Sequence, residues 1–445
     1  MIPPSAGVSI ALSCALSATV SLLVVLTARW HLHLSADSQW HLPQKIHRGE
    51  IPRIGGVAIV AGFVAALLAL ELRPEGRLLV SPTTAALLVA GVAPVFAIGL
   101  AEDLTKRVGA RLRLLWMSRG AVVLIEWREL LLSGIDAPLL DPLFSGWGFA
   151  LAFSVFACVG AANAYNIVDG LNGLLGGVSL ITLAAVAATA ASVGDAKVLT
   201  LATLLGAAIA GWLPFNWPRA RLFAGDAGAY SIGFLTAALL LLLVLRNPGA
   251  VTPWFGLTAA ALPVWETVYS IWRRLRRGAG AMEADEQHLH QLVRRALHRA
   301  RQARALARAR RRALDGTAGD ARRRLAGIEP PNGSASPWLW ALHAAAAALG
   351  VRFHGGTLEQ LVVFVGFAVG YVVLHGRLQA ALAPSDPGAR PGVATAGIAT
   401  AGTAGSVRGA VDAPAVAQGP VAPAVRPGPT VAPAAHRPPT ARETA

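Results

Sequence analysis

Blocks of uninterrupted apolar residues constrain this chain more than any other feature it has. SLLVVLTARW, VAIVAGFVAALLAL, AALLVAGVAPVFAIGL and FLTAALLLLLVLR each approach or reach the roughly 20 apolar residues with which a helix crosses a bilayer. Lipid offers no partner to backbone N–H and C=O groups, so runs of this kind span as helices. Charge is correspondingly scarce. Only 14% of the 445 residues are charged and 54% are hydrophobic, where a soluble domain is about a quarter charged. A lone signal peptide or anchor does not account for so many blocks.

Eleven spans are predicted, near 8–29, 55–71, 83–101, 113–133, 147–163, 173–193, 198–215, 227–246, 253–272, 337–351 and 360–377. The expected fold class is all-α, a polytopic membrane protein of about 10–11 transmembrane helices. Arg119, Glu126, Arg128 and Glu129 interrupt the fourth span, and the tenth is short and alanine-rich. Residues 1–293 form the expected catalytic core, 294–335 an Arg-rich cytoplasmic helix and loop, and 336–380 the last two spans. The Ala/Pro-rich remainder, 381–445, lacks the apolar residues to bury a core and is expected to be disordered. Cys14 and Cys158 both lie inside apolar blocks and form no metal motif.

Lys and Arg set the orientation, because they accumulate in the short loops on the cytoplasmic side. Lys45, Arg48 and Arg53, then Lys106, Arg107 and Arg111, then Arg219 and Arg221 fall on alternate loops, and RRLRR follows the ninth span. The opposite loops at 134–146 and 194–197 share one cation, Lys197, while Arg73 and Arg77 make 72–82 a mild exception. The N-terminus is therefore expected outside and the C-terminus inside. Between Arg273 and Arg324 sixteen arginines face five acids and supply most of the +15 net charge. Between membrane spans such a segment reads as an anchor for anionic headgroups, not as a nucleic-acid surface. Ala and Arg favour helix, so 294–325 is expected to lie on the membrane as one, ended by Gly316 and Gly319.

Five polar strings fall in the cytoplasmic loops. KIHRGEIPRIGG sets His47 and Arg48 ahead of Pro52 and the Gly55-Gly56 pair, where backbone approaches another group closely. GLAEDLTKR places Glu102 and Asp103 side by side at a span end, with Lys106 three residues on. Adjacent carboxylates repel, and a divalent cation or a cationic partner relieves them; a solvated helix end is the plainer alternative. In NAYNIVDGLNGL, Asn163, Asn166 and Asp169 recur every three residues and share a helix face, as a polar seam between helices also would. PFNWPRARLFAGDAGAYSIG carries Asn216 and places Asp226 at a helix start, a site for an ordinary cap or for a metal-bound phosphate. ADEQHLHQL carries His288 and His290; with no cysteine nearby to complete a zinc site, phosphate contact suits them better. Carboxylates, amides, cations and imidazoles on one membrane face are the parts that a metal-held diphosphate needs.

From Lys45 to Gln291 the five strings, in this order, resemble the polyprenyl-phosphate N-acetylhexosamine-1-phosphate transferases. The resemblance implies transfer of a sugar-1-phosphate from a UDP-N-acetylhexosamine to undecaprenyl phosphate with release of UMP, at the cytoplasmic side of a bacterial inner membrane. Such a step starts envelope polysaccharide synthesis. Mg²⁺, or Mn²⁺ in its place, is the implied cofactor. Glu102, Asp103, Asp169 and Asp226 are the implied catalytic carboxylates, with Asp226 and Asp103 on the metal. Lys106, Asn163, Asn166, Asn172, Asn216, His288, His290, His47 and Arg48 are the implied substrate contacts. The implied mechanism has Asp103 deprotonate or orient the acceptor, and a homodimer is left open. Glu102, Asn172, Ala224 and Gln291 depart from the commonest family pattern, the first keeping its charge. Two rival readings are a transporter, which predicts mid-span charges and inverted repeats, and an inactive scaffold of the same family.

Overall fold

The computed structural model describes residues 4–36, 50–125, 130–278, 287–314 and 332–383. The chain divides into a unit Met1–Pro384 and a second, Ser385–Ala445; the predicted tail falls almost wholly outside the described residues. Among the described residues there is no strand, and sixteen α-helices follow in order. They are α1 (Pro4–Leu26), α2 (Ala28–Ser35), α3 (Gly55–Glu71), α4 (Pro74–Leu79), α5 (Pro82–Thr105), α6 (Ala110–Ile125), α7 (Asp141–Phe144) and α8 (Trp147–Val168). Then come α9 (Leu174–Ser192), α10 (Ala196–Asn216), α11 (Gly225–Arg246), α12 (Phe255–Ala259), α13 (Ala261–Arg276), α14 (Leu289–Leu314), α15 (Ser336–Arg352) and α16 (Thr357–Leu382).

Seven of these, α1, α5, α8, α9, α10, α11 and α16, are long and apolar enough to cross a membrane, and α3 is a shorter apolar helix. The protein is an all-α, multi-pass membrane protein. Two predicted spans are built differently, and the short tenth keeps its bounds to within a residue. The fourth is α6, which starts at Ala110; residues 126–129 lie outside the description. The ninth is broken at Ala260 into α12 and α13. The tenth is α15, of 17 residues.

Helix α11 is the centre of the bundle: every residue from Gly225 to Val244 is buried, against α8, α5, α3 and α9. A helix apolar all round belongs in such a position. Small residues let its neighbours close in. A Cβ on Gly56 of α3 would stand 2.3 Å from the Gly228 backbone nitrogen, so only glycine fits that crossing. By contrast α1 and α16 bury little and expose Leu22, Leu23, Val362, Val365 and Val369, as lipid-facing helices do. One chain of polar groups crosses the bundle. The Tyr165 hydroxyl donates to Thr182 Oγ1 at 3.0 Å, which lies 3.0 Å from His343 Nε2 and ties α8, α9 and α15 together.

Candidate active site

The start of α11 is held by two segments that are remote in sequence. A helix leaves its first N–H groups without partners, and here a buried carboxylate takes two of them. Asp103, at the end of α5, accepts from Asp226 N at 2.8 Å and Ala227 N at 2.9 Å. The residues ahead of α3 complete the frame: Phe223 N donates to Pro52 O, Gly55 N to Phe223 O and Gly56 N to Ala224 O, all at 2.8–2.9 Å. Gly225 sits where they meet, with φ of 71°. A Cβ there would lie 1.9 Å from Arg53 O, so both the backbone region and the space demand glycine.

This frame presents Asp226, which is nearly buried, to three side chains. Its Oδ2 accepts from Arg113 Nη1 at 3.0 Å; its Oδ1 accepts from Asn166 Nδ2 at 3.1 Å and from Arg53 Nη2 at 3.4 Å. Arg113 also donates to the Tyr230 hydroxyl, one helical turn along α11, at 3.0 Å. Three of the predicted strings thus meet at one carboxylate, and α6 adds a fourth contributor.

Asp169 ends α8 beside this group. Burial lifts its carboxyl from 3.8 up to about 8; Arg53 pulls it down, and Asp226 and Asp103 add to the rise. Next to it, a Cβ on Gly170 would stand 2.3 Å from His290 Nε2, so the fifth string closes against the third. The buried His290 ring stacks on His288, with centroids 5.3 Å apart and 8° between planes. Burial, then His288, hold His290 down at about 3, so it meets a ligand as a neutral ring. Lys106 caps α5 in the left-handed region, φ 57°, and its ammonium turns back onto Asp103 O. Burial, then Arg53, push that ammonium below the ordinary lysine range. Half-buried Glu102 accepts from Val108 N at 2.8 Å, which fixes the turn between α5 and α6.

Several predicted contacts point elsewhere. Asp103 was expected on the metal, yet both its oxygens cap α11 and it is fully buried. It stands behind Asp226 and orients it. Asn163 donates to Val159 O of its own helix at 2.8 Å. Asn216 is spent on structure, accepting from Gly173 N at 2.6 Å and donating to Leu222 O at 3.1 Å. Asn172 donates to Pro218 O at 3.3 Å, and its carbonyl accepts from Ser336 at 2.7 Å, so it holds the start of α15. His47 and Arg48 lie outside the described residues.

Sequence reasoning treated Arg53 as an orienting charge and passed over Arg113 and Tyr230. One signal was available for Arg113. It falls in the first turn of α6, where the helix dipole disfavours a cation, and such a misplaced charge needs a purpose.

The donor chemistry sorts into two sets. Around Asp226 the candidate donors are carboxylate oxygens, its own and those of Asp169 near it, which suit a hard cation such as Mg²⁺. The second set is Glu266, His288 and His290, whose donor atoms lie within 4.8 Å of one another; imidazoles do not suit magnesium. Asp226, with Asp169 beside it, fits the implied cofactor, while two guanidinium groups stand ready for phosphate.

The family described as Glycosyl transferase family 4 matches residues 85–244, which include Glu102 to Asp226. An Escherichia coli (strain K12) protein described as undecaprenyl-phosphate alpha-N-acetylglucosaminyl 1-phosphate transferase is 30% identical over 270 residues, 58% of this chain and 70% of that one. The Yersinia pestis protein of the same description is 29% identical over 270 residues, with the same shares. A Bacillus subtilis (strain 168) protein, described as a probable undecaprenyl-phosphate N-acetylglucosaminyl 1-phosphate transferase, is 28% identical over 248 residues, 56% of this chain and 66% of its own length.

Proposed function

The chain belongs to glycosyl transferase family 4, and from that premise we propose that it transfers N-acetylhexosamine-1-phosphate from a UDP-sugar to undecaprenyl phosphate, releasing UMP. N-acetylglucosamine is the sugar that the relatives' names favour. We place the reaction on the cytoplasmic side of a bacterial inner membrane, where the cation-rich loops lie. The observation that carries the reading is the meeting of Arg53, Arg113 and Asn166 on the carboxylate of Asp226.

Phosphoryl transfer asks a protein for position and charge neutralisation. Arg113 and Arg53 gather the diphosphate, with Lys106 behind them. An oxygen of the acceptor phosphate bonds to the β-phosphorus as the bond from that phosphorus to the UMP oxygen breaks. A proton on the acceptor passes to the ionised carboxylate of Asp169, beside Asp226. Asp103 takes no proton in this scheme, because its oxygens are committed to α11. Asp226 would hold Mg²⁺, which supplies Lewis-acid neutralisation of the diphosphate when bound.

Purified full-length protein given UDP-N-acetylglucosamine, undecaprenyl phosphate and Mg²⁺ should release UMP, and chelation should stop it. Asp226→Asn should slow release by about a hundredfold or more. Unchanged turnover in that variant removes Asp226 from the metal role. Silence of the wild type with every UDP-N-acetylhexosamine favours the scaffold.

A further inference from the structure

On the far side of the histidine pair, α13 turns a polar stripe inward. Glu266, Ser270 and Arg273 stand four and three residues apart and are all buried. A carboxylate taken out of water at this depth needs donors, and Glu266 has two. Its Oε1 lies 2.9 Å from His288 Nδ1 and accepts from Leu289 N at 3.1 Å. Ser270 Oγ is 3.2 Å from the same Nδ1, and Arg273 Nη2 donates to that hydroxyl at 3.3 Å.

From this geometry we infer that Glu266 is a positioning residue for the histidine pair, an inference that rests on the transferase reading above. An ionised carboxylate only accepts, so its partner nitrogen must carry the hydrogen. That fixes the Nδ1–H form of His288 and leaves Nε2 as the nitrogen free to meet a ligand. The ring so fixed is the one on which His290 stacks, and His290 borders Gly170 beside Asp169. The buried Nδ1 of His290 has no hydrogen-bond partner among the described residues, and a buried polar atom of that kind is one that a ligand oxygen satisfies. Helix α16 braces the same loop from the other side. His375 Nε2 donates to Gln287 O at 2.8 Å, and Gln379 Nε2 donates to Gln287 Oε1 at 2.8 Å. Both helices therefore clamp the residue just ahead of His288 or the ring itself.

The same three side chains form a possible cation group, and one distance decides between the roles. Two ligands of a tetrahedral zinc ion, each about 2.0–2.2 Å from it, stand roughly 3.3 Å apart. Glu266 and His288 are 2.9 Å apart, a direct hydrogen bond with no room for an ion between them.

The test is a kinetic cycle on the full-length enzyme with an independent spectroscopic reading. Glu266→Ala should lower kcat by about ten- to a hundredfold, the effect of losing alignment, with KM for the UDP-sugar within about threefold. Glu266→Gln, whose carbonyl still accepts from Nδ1, should recover most of that loss. The double variant Glu266→Ala/His288→Asn should be no slower than His288→Asn alone, since Glu266 acts through His288. Where the alanine variant does not fold, the NMR reading of the wild type decides. In ¹⁵N-histidine NMR of the wild type, the signal lost in His288→Asn should be that of an Nδ1-protonated ring. Losses that multiply in the double variant, an Nε2-protonated His288, or stoichiometric zinc in the wild type each overturn the inference. The NMR reading does not depend on turnover. A wild type that releases no UMP yet shows the Nδ1–H ring therefore sinks the function and spares the pairing.

Discussion

Asp226 takes the first turn of α11, a place where the helix dipole already favours an anion. Two guanidinium groups and an amide then converge on it. Arg113 is the closer cation, at 3.0 Å, and it keeps about a quarter of its side chain exposed. It therefore neutralises Asp226 while still open to a ligand. Arg113→Gln should cost about 10²–10³ in kcat/KM, the usual effect of losing one charged donor, with little change in thermal midpoint because the pair is partly solvated. Steady-state UMP release and a melting curve, run side by side, check both halves. A variant that melts early and keeps its kcat/KM would make Arg113 structural. At this scale spacing picked out Asn163, Asn166 and Asp169, a helix start picked out Asp226, and the roles of these and of His288 and His290 came from the resemblance. Asn172 and Asn216 have the same chemistry, but the Asn172 amide nitrogen donates to Pro218 O, and both ends of the Asn216 amide are consumed by Gly173 N and Leu222 O. Spacing names a residue type; only the fold says what its amide touches.

At the scale of elements, the site is a junction of helix ends. The ends of α5 and α8 and the starts of α3, α6, α11 and α14 converge on it, which is how strings far apart in the chain share one carboxylate. The junction depends on α3 lying against α11, where Gly56 meets Gly228. Gly56→Val should force the two helices apart and lower stability by about 1–3 kcal/mol, as overpacking does. It should also disturb the hydrogen bond from Gly56 N to Ala224 O, so turnover should fall with the thermal midpoint in detergent. A variant with an unchanged melting curve would show that the crossing is loose. Apolar runs announced α5, α8 and α11 because they are long and carry charge only at their ends, if at all. The break at Ala260 between α12 and α13 was passed over, although Pro263 stands three residues on, where it cannot continue a preceding helix; the polar stripe of α13 acquires meaning only against His288.

For the whole molecule, one end of the bundle carries the cluster around Asp226. Another end is tied by Asp195, which accepts from Arg246 at 2.8 Å and from Asn247 at 3.1 Å. The Arg-rich helix was expected over 294–325; α14 starts earlier, at Leu289, and so includes His290. Its Arg299 donates to Ala381 O and Leu382 O, the last carbonyls of α16. Further along α14, Arg304 and Arg308 are exposed. Deleting 303–325 should weaken retention of phosphatidylglycerol in native mass spectrometry, since each cation near an anionic surface adds about 1 kcal/mol, and should leave UMP release within about twofold. Abolished turnover in a folded deletion variant would give that segment a catalytic role. What the sequence by itself determined is the solvent and the parts: apolar runs that only lipid accommodates as helices, and polar strings at their ends. Tertiary structure alone decided which part does what. It turned Asp103 into the cap of α11, brought Arg113 to Asp226 and set Glu266 behind His288. Each of these is a contact between remote segments, fixed by how closely helices pack and by which buried polar group finds a partner, and neither is encoded at any spacing along the chain.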